Sequence, residues 1–295
     1  ILNQDVIILN SEEVARALLE KRPSNYSDRP RFATMELQVI RFRALRLTHT
    51  AALQAFRPEA AVIYRPMQLC KVHQLLVGLL YNPTKYELHL ETHSASIVMS
   101  AVYDYDTKPS DPLISMIRGA MDKILHAETP DKAAIIDSYF FLTLIPAWFP
   151  GASFKCHALE LKSVLKDMVE KPFKYALDRI AFSPLGCLPF PWSLKDSRDF
   201  KATHFNYLAL QTHAVLLVFI QAMVLNPEVQ KRAQAKIDRV VGSDRLPDFG
   251  DRVSMSYIEA VLRKAMRFYP IVPLGAPHAA VDDDVYEGYF IPKGE

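Results

Sequence analysis

The reading turns on Tyr257-Ile258-Glu259-Ala260-Val261-Leu262-Arg263-Lys264-Ala265-Met266-Arg267-Phe268-Tyr269-Pro270, near the end of a 295-residue chain. Ser256 and Glu259 form a capping-box pattern at its start, and Pro270 stops it, so it reads as a helix. An apolar segment, Ile271-Val272-Pro273-Leu274-Gly275-Ala276-Pro277-His278, follows. After Asp282-Asp283-Asp284, the stretch Val285–Ile291 reads as a small hairpin around Glu287-Gly288.

Working toward the N-terminus, helices dominate. Asn226-Pro227-Glu228 caps a polar helix that ends near Gly242. An apolar helix covers Thr212–Leu225. Its longest apolar run, Ala214 to Leu225, is interrupted by Gln221 and falls short of the roughly 20 residues that span a bilayer. Phe154 to Arg179 reads as an amphipathic helix, broken or kinked at Pro172. Pro146-Ala147-Trp148-Phe149-Pro150-Gly151 is a rigid loop with two large aromatics, and Asp131 to Leu144 is read as a helix. Asp111-Pro112 opens a helix whose Leu113, Met116, Ile117, Ala120, Met121, Ile124 and Leu125 form the cleanest apolar stripe in the chain. Asn82-Pro83 opens another helix, through about Val102, and Pro66 to Leu80 carries helical spacing. Near the start, Val6–Leu9 is a strand candidate. Asn10 with Glu13 caps a helix with Val14, Leu18 and Leu19 on its apolar face, stopped at Pro23. Residues 24–57, with Arg41, Arg43 and Arg46, show no clean period.

Composition narrows the function classes. Apolar residues at 50% and charged residues at 23% are those of a globular protein, not a disordered or fibrous one. Lys and Arg total 35 against 33 Asp and Glu, a net charge of +2, which excludes the basic excess of a nucleic-acid binder. The nine glycines are about half of average usage, which argues against glycine-rich phosphate loops. Cys70, Cys156 and Cys187 form no CxxC pair and suit a reducing compartment. No secretory or membrane signal opens the sequence. Walker, GxGxxG and GxSxG motifs are absent, so nucleotide and serine-hydrolase chemistry lack support.

His89 and His93 stand one helical turn apart, a spacing that could hold a metal, but Glu91 sits midway and no third ligand is near. The plainer reading is an exposed helix face. The triple Asp282–Asp284 could bind a cation; a solvated turn is the plainer reading there too.

The succession of Tyr257–Pro270, the apolar-Pro segment and Tyr286-Glu287-Gly288-Tyr289-Phe290-Ile291-Pro292-Lys293-Gly294 resembles the cytochrome P450 family, in its fungal microsomal-type members. Ser11–Leu19, Tyr26–Pro30, Phe56-Arg57-Pro58, Leu142–Phe154 and His213–Asp238 look similar as well, so the resemblance covers about four-fifths of the chain. It implies a mainly α fold with small β elements, here an incomplete cytochrome P450-like fold. It also implies a haem-thiolate monooxygenase that takes electrons from NADPH–cytochrome P450 reductase and inserts one atom of O2 into a small apolar substrate. The family's place is the endoplasmic-reticulum membrane; with no anchoring segment, this chain is expected in the cytoplasm. The expected organisation is one incomplete domain over 1–295, irregular at 38–55 and 183–211. By resemblance, Arg267 supports the haem core and His278 contacts a propionate. Ile271, Val272, Pro273 and Leu274 face substrate, and Thr212 lies near the oxygen side.

Four departures shape the mechanistic expectation. The family's Phe-x-x-Gly-x-x-x-Cys loop lies beyond the Ile-Pro-Lys-Gly hairpin, and none of the three cysteines has a matching context. The Glu of the family's Glu-x-x-Arg is Lys264, so like charges stand at i,i+3 with Arg267 unless the lysine is exposed. Glu259 is expected to pair with Arg263 at i,i+4. The family's small-Gly-x-acid-Thr-Thr pattern falls on Tyr207-Leu208, Leu210 and Gln211, where only Thr212 matches; a plain core helix preceded by a loop is the simpler reading. The Trp-x-x-x-Arg propionate motif has no counterpart, since the first Trp is Trp148. The expectation is that this chain is inactive as it stands; the alternative is a non-catalytic, truncated remnant without haem.

Overall fold

The computed structural model describes residues 6–28, 30, 57–108, 111–127, 135–136, 138–146, 148–150, 152–182, 203–273, 275 and 277–294. In chain order these form α1 (Glu12–Ala15), α2 (Pro58–Ala61), α3 (Arg65–Tyr81), α4 (Tyr86–Tyr103), α5 (Pro112–Ala127), α6 (Ser153–Phe182), α7 (Thr203–Leu225), α8 (Pro227–Val241), α9 (Ser256–Phe268), β1 (Asp284–Tyr286) and β2 (Tyr289–Ile291). The fold is mainly α, with one antiparallel two-stranded sheet.

Apolar stripes select the helix contacts. Ala95, Met99, Val102 and Tyr103 of α4, Ile114, Ile117 and Ala120 of α5, and Leu161, Met168 and Ala176 of α6 form one buried cluster. α4 also packs on α3 and, over its broadest contact, on α7; α7 in turn carries α9 and α8. At the α3–α4 corner the His89 ring lies where a side chain at Gly78 would go, 3.0 Å from an ideal Cβ, and His89 Nε2 is 3.1 Å from the Asn82 carbonyl. The α4–α5 loop is fixed by charge. The buried Lys71 ammonium reaches Asp106 at 2.6 Å, and the Asp111 carboxylate accepts from the Leu113 and Lys108 amides and the Tyr105 hydroxyl. Burial alone would push the Asp111 carboxyl up; these hydrogen bonds outweigh it and hold it below the ordinary range.

α6 runs unbroken through Pro172, which is fully buried. Asn226 closes α7 by donating from Nδ2 to the Ala222 carbonyl at 2.9 Å. Pro227 then opens α8, and the chain turns through 106°. Among the described residues no single helix is long and apolar enough to cross a membrane. The bent pair Gln211–Leu225 and Pro227–Val241 passes on length and composition only.

Five local expectations change. Val6–Leu9 forms no strand: Val6, Ile7 and Ile8 are exposed, and among the described residues no strand lies beside them to satisfy their backbone as sheet. α1 is capped by Ser11 rather than Asn10, because the Ser11 backbone is extended and its Oγ accepts from the Val14 amide at 3.2 Å. The helix expected over 131–144 breaks at Tyr139 and continues only as a 3-10 turn, Phe140–Leu144, where the Tyr139 and Phe141 rings meet edge to face. α7 starts at Thr203, so 203–211 is helical rather than irregular; no Gly or Pro interrupts it there. Ser256 lies inside α9 and does not cap it, because Glu259 turns to Arg252 instead of to the backbone. Stretch 38–55, with Arg41, Arg43 and Arg46, and residues 183–202 lie outside the described residues.

The two ends of the chain meet in a second, smaller assembly. Leu18 and Tyr26 pack with Ala280 and Ile291, flanked by Leu9, Val14, Leu19 and Tyr286. The Ala279 amide donates to the Asp28 carbonyl at 2.9 Å and the Val281 amide to the Asn25 carbonyl at 2.7 Å. Asn25 clips Asp282 twice, through Oδ1 and Nδ2. The hairpin turns at Glu287 and Gly288, both at positive φ, 51° and 86°. That is the conformation of a two-residue type I′ loop, and only glycine adopts it without strain at its second position.

Candidate functional site

The residues singled out from the sequence divide between α7, α9 and the terminal assembly. Thr212 lies on an exposed position of α7, and Tyr207–Gln211 continue the same helix before it. On α9, Val261 and Ala265 are buried while Lys264 and Arg267 are exposed. Exposure settles the Lys264 question: two cations one turn apart in water repel only weakly, whereas burial would be costly. Glu259 pairs with Arg263 at 3.5 Å, as its i,i+4 spacing predicts, and with Arg252 at 3.0 Å.

His278 stands at the junction of the chain ends. Its ring is at the surface, and its Nδ1 is 2.6 Å from the Tyr26 carbonyl, which fixes Nδ1 as the donor. Ile271 and Val272 are half-buried, Pro273 is exposed, and Leu274 lies outside the described residues. An open cleft of about 770 Å³ lies beside this junction, lined by Lys21, Arg22, Ser24, Asn25 and Val281–Val285. Its walls are polar, and its Arg22, Asp282 and Asp284 are already paired. Arg22 holds Asp284 at 2.7 Å, the Tyr26 hydroxyl donates to the same carboxylate at 2.8 Å, and Lys293 reaches Asp282 at 3.3 Å. The Arg22 hydrogen bond, with that of Tyr26, holds the Asp284 carboxyl below its ordinary range. Burial and the Asp284 bond push the Tyr26 phenol up to about 12. Asp284 is therefore a structural tie, while Asp282 and Asp283 stay exposed in the solvated turn expected from the sequence.

His89 and His93 are also placed differently from expectation. Neither belongs to an exposed face: His93 is buried with Nδ1 at 3.2 Å from the Lys71 carbonyl, and His89 is half-buried against Gly78. Their rings point to separate backbone carbonyls. No group of three His, Cys, Asp or Glu able to hold a metal occurs among the described residues. The sequence reading missed His213, whose Nε2 is buried on α7 without a hydrogen-bond partner.

A haem iron of the thiolate type needs a sulfur donor in an enclosed apolar space. Cys70 on α3 and Cys156 on α6 are both exposed, with the Cys70 sulfur 3.9 Å from Gln74 Nε2; Cys187 lies outside the described residues. The described thiols do not fit that role.

The fold is mainly α, with a Pro-bounded final helix leading through an apolar turn into a short hairpin. Comparison with known proteins gives the class. The family profile described as Cytochrome P450 matches residues 211–295. The cytochrome P450 monooxygenase claR of Ampulloclitocybe clavipes is 35% identical over 320 aligned residues, covering 100% of this chain and 58% of its own length. The cytochrome P450 monooxygenase COX2 of Coprinopsis cinerea is 32% identical over 100% of this chain and 60% of its own length. One from Armillaria gallica is 31% identical over 100% and 62%. The chain belongs to the cytochrome P450 family. It spans about three-fifths of the length of these curated relatives.

Proposed function

We propose that the protein is a haem-dependent monooxygenase of the cytochrome P450 type, an oxidoreductase that inserts one atom of O2 into a small apolar substrate. The observation that carries this is full-chain similarity to several proteins named as cytochrome P450 monooxygenases. When bound, haem would supply the oxygen-activating iron. In this reading residues 1–295 form one domain of that fold. Arg267 supports the cofactor region, His278 takes the propionate side, Thr212 the oxygen side, and Ile271, Val272, Pro273 and Leu274 the substrate side. Electrons come from NADPH–cytochrome P450 reductase, at the endoplasmic-reticulum membrane.

A second reading concerns residues 1–295 on their own: a haem-free scaffold without turnover. The exposure of Cys70 and Cys156 and the lysine at 264 favour it. One experiment separates the two. The chain is expressed with a haem precursor, reduced, exposed to carbon monoxide and examined for a Soret band. The scaffold reading expects no Soret absorbance from these residues alone. A thiolate-type band would overturn it and establish that one of the three cysteines ligates iron.

A further inference from the structure

α4 packs on α3, α5, α6 and α7, and histidines sit on two of its seams. On the α3 side, His93 is buried and donates from Nδ1 to the Lys71 carbonyl. On the α7 side, His213 is half-buried and its Nε2 has no partner. We propose that α4 is an acid-released helix: proton uptake by His93 and His213 opens its seams with α3 and α7 while the α5–α6 pairing stays closed.

The chemistry is one of missing acceptors. With its proton on Nδ1, a neutral His213 buries a bare Nε2 lone pair; a protonated ring buries a charged N–H with nothing to accept it, which costs more. Protonated His93 would place a cation in the buried α3–α4 seam, where its Nδ1 already serves the Lys71 carbonyl and the Lys71 ammonium is itself matched to Asp106. Opening hydrates both rings and removes the conflict. Burial accordingly lowers the proton affinity of both, against a raising pull from the Lys71 carbonyl on His93 and from Glu87 on His213. The sign follows: the closed form binds fewer protons than the open one, so opening is favoured as pH falls below the ordinary histidine range.

The other charged groups around α4 do not reverse this. Glu87, on α4 itself, is exposed and its Oε1 accepts from the Tyr86 hydroxyl. Glu91 pairs with Arg118 of α5 at 3.1 Å, near Asp122. Burial raises Glu91, so its proton uptake relieves its own desolvation and leaves the α5 seam closed. α3 keeps Arg65 and His73 exposed. α6 holds Glu160, Lys166, Asp167 and Glu170 at the surface. Behind α7, Arg263, Lys264 and Arg267 of α9 are exposed and Glu259 is paired; on α8, Lys236 is half-buried and Lys231, Arg232, Asp238 and Arg239 are exposed.

Amide hydrogen exchange read by mass spectrometry on the full chain tests this, at about pH 7.5 and about pH 5 with intrinsic rates divided out. Protection over 86–103 should fall roughly tenfold or more relative to 112–127 and 153–182. An equal change in every helix, or none in α4, overturns the proposal. The substitution His213→Gln removes the charge change and should shrink the acid effect; an unchanged effect counts against His213. Ring-proton NMR of the unmodified chain is independent of any variant's folding. Both imidazoles should titrate below about 6.5, and either one titrating at or above that value overturns its role.

Discussion

In the helical body, α4, α5 and α6 bury Met99, Tyr103, Ile117, Ala120 and Met168 in a cluster built from stripes on helices adjacent in the chain. At the chain ends, residues about 250 positions apart are joined chiefly by polar groups: Arg22 to Asp284, Asn25 to Asp282, Tyr26 to Asp284, around the small apolar cluster of Leu18, Tyr26, Ala280 and Ile291. The apolar cluster of the body depends chiefly on volume. The terminal assembly depends on a few ionised partners in water-accessible positions, where each pair contributes little alone and the set fixes register. The same difference decides where sequence reading succeeds: stripes are visible in a single segment, ties between distant ends are not.

The largest expected effect lies in the body. Met99→Ala empties a fully buried site and should lower unfolding free energy by about 2–5 kcal/mol, read from denaturant or thermal melts. A loss limited to the first turn of α4 would mean that the body is not one cooperative core, and the contrast with the chain ends would fail. Next is Asp111→Ala, which removes the cap of α5 and the Tyr105 contact, with an expected loss of about 1 kcal/mol near neutral pH. Because the Asp111 carboxyl is held below its ordinary value, that contribution is present above the ordinary carboxylate range. It vanishes as pH falls through the lowered value, so the variant and the parent should converge in acid. The smallest global effect belongs to Asp284→Asn. It should leave the main melt unchanged while amide protection over 22–28 and 279–294 drops. A shifted main melt would show that the terminal assembly and the body unfold together.

The hairpin over Val285–Ile291, the Asn226-Pro227 corner, the Gly242 stop and the stripe after Asp111-Pro112 were all legible, because each is set by a backbone rule acting within a few residues. Caps were less so. Ser11 displaced Asn10, and Glu259 chose the Arg252 guanidinium over the backbone, since two adjacent candidates differ only in the partners that the fold supplies. The candidate site was legible as a family pattern on α9 and the hairpin, but its surroundings were not. The exposure of Lys264 and Arg267, the seat of His278 on the Tyr26 carbonyl and the lone Nε2 of His213 depend on which helix face turns inward.

The sequence by itself determined the family, the helical class and most element boundaries, because periodicity, proline and glycine act locally along the backbone. The tertiary structure alone decided that two histidines one turn apart serve two different carbonyls, and that Asp282, through its backbone, and Asp284, through its carboxylate, hold the opposite end of the chain. Those outcomes rest on through-space partners, and a side chain's charge, burial and hydrogen bonds are fixed only when distant segments are brought together.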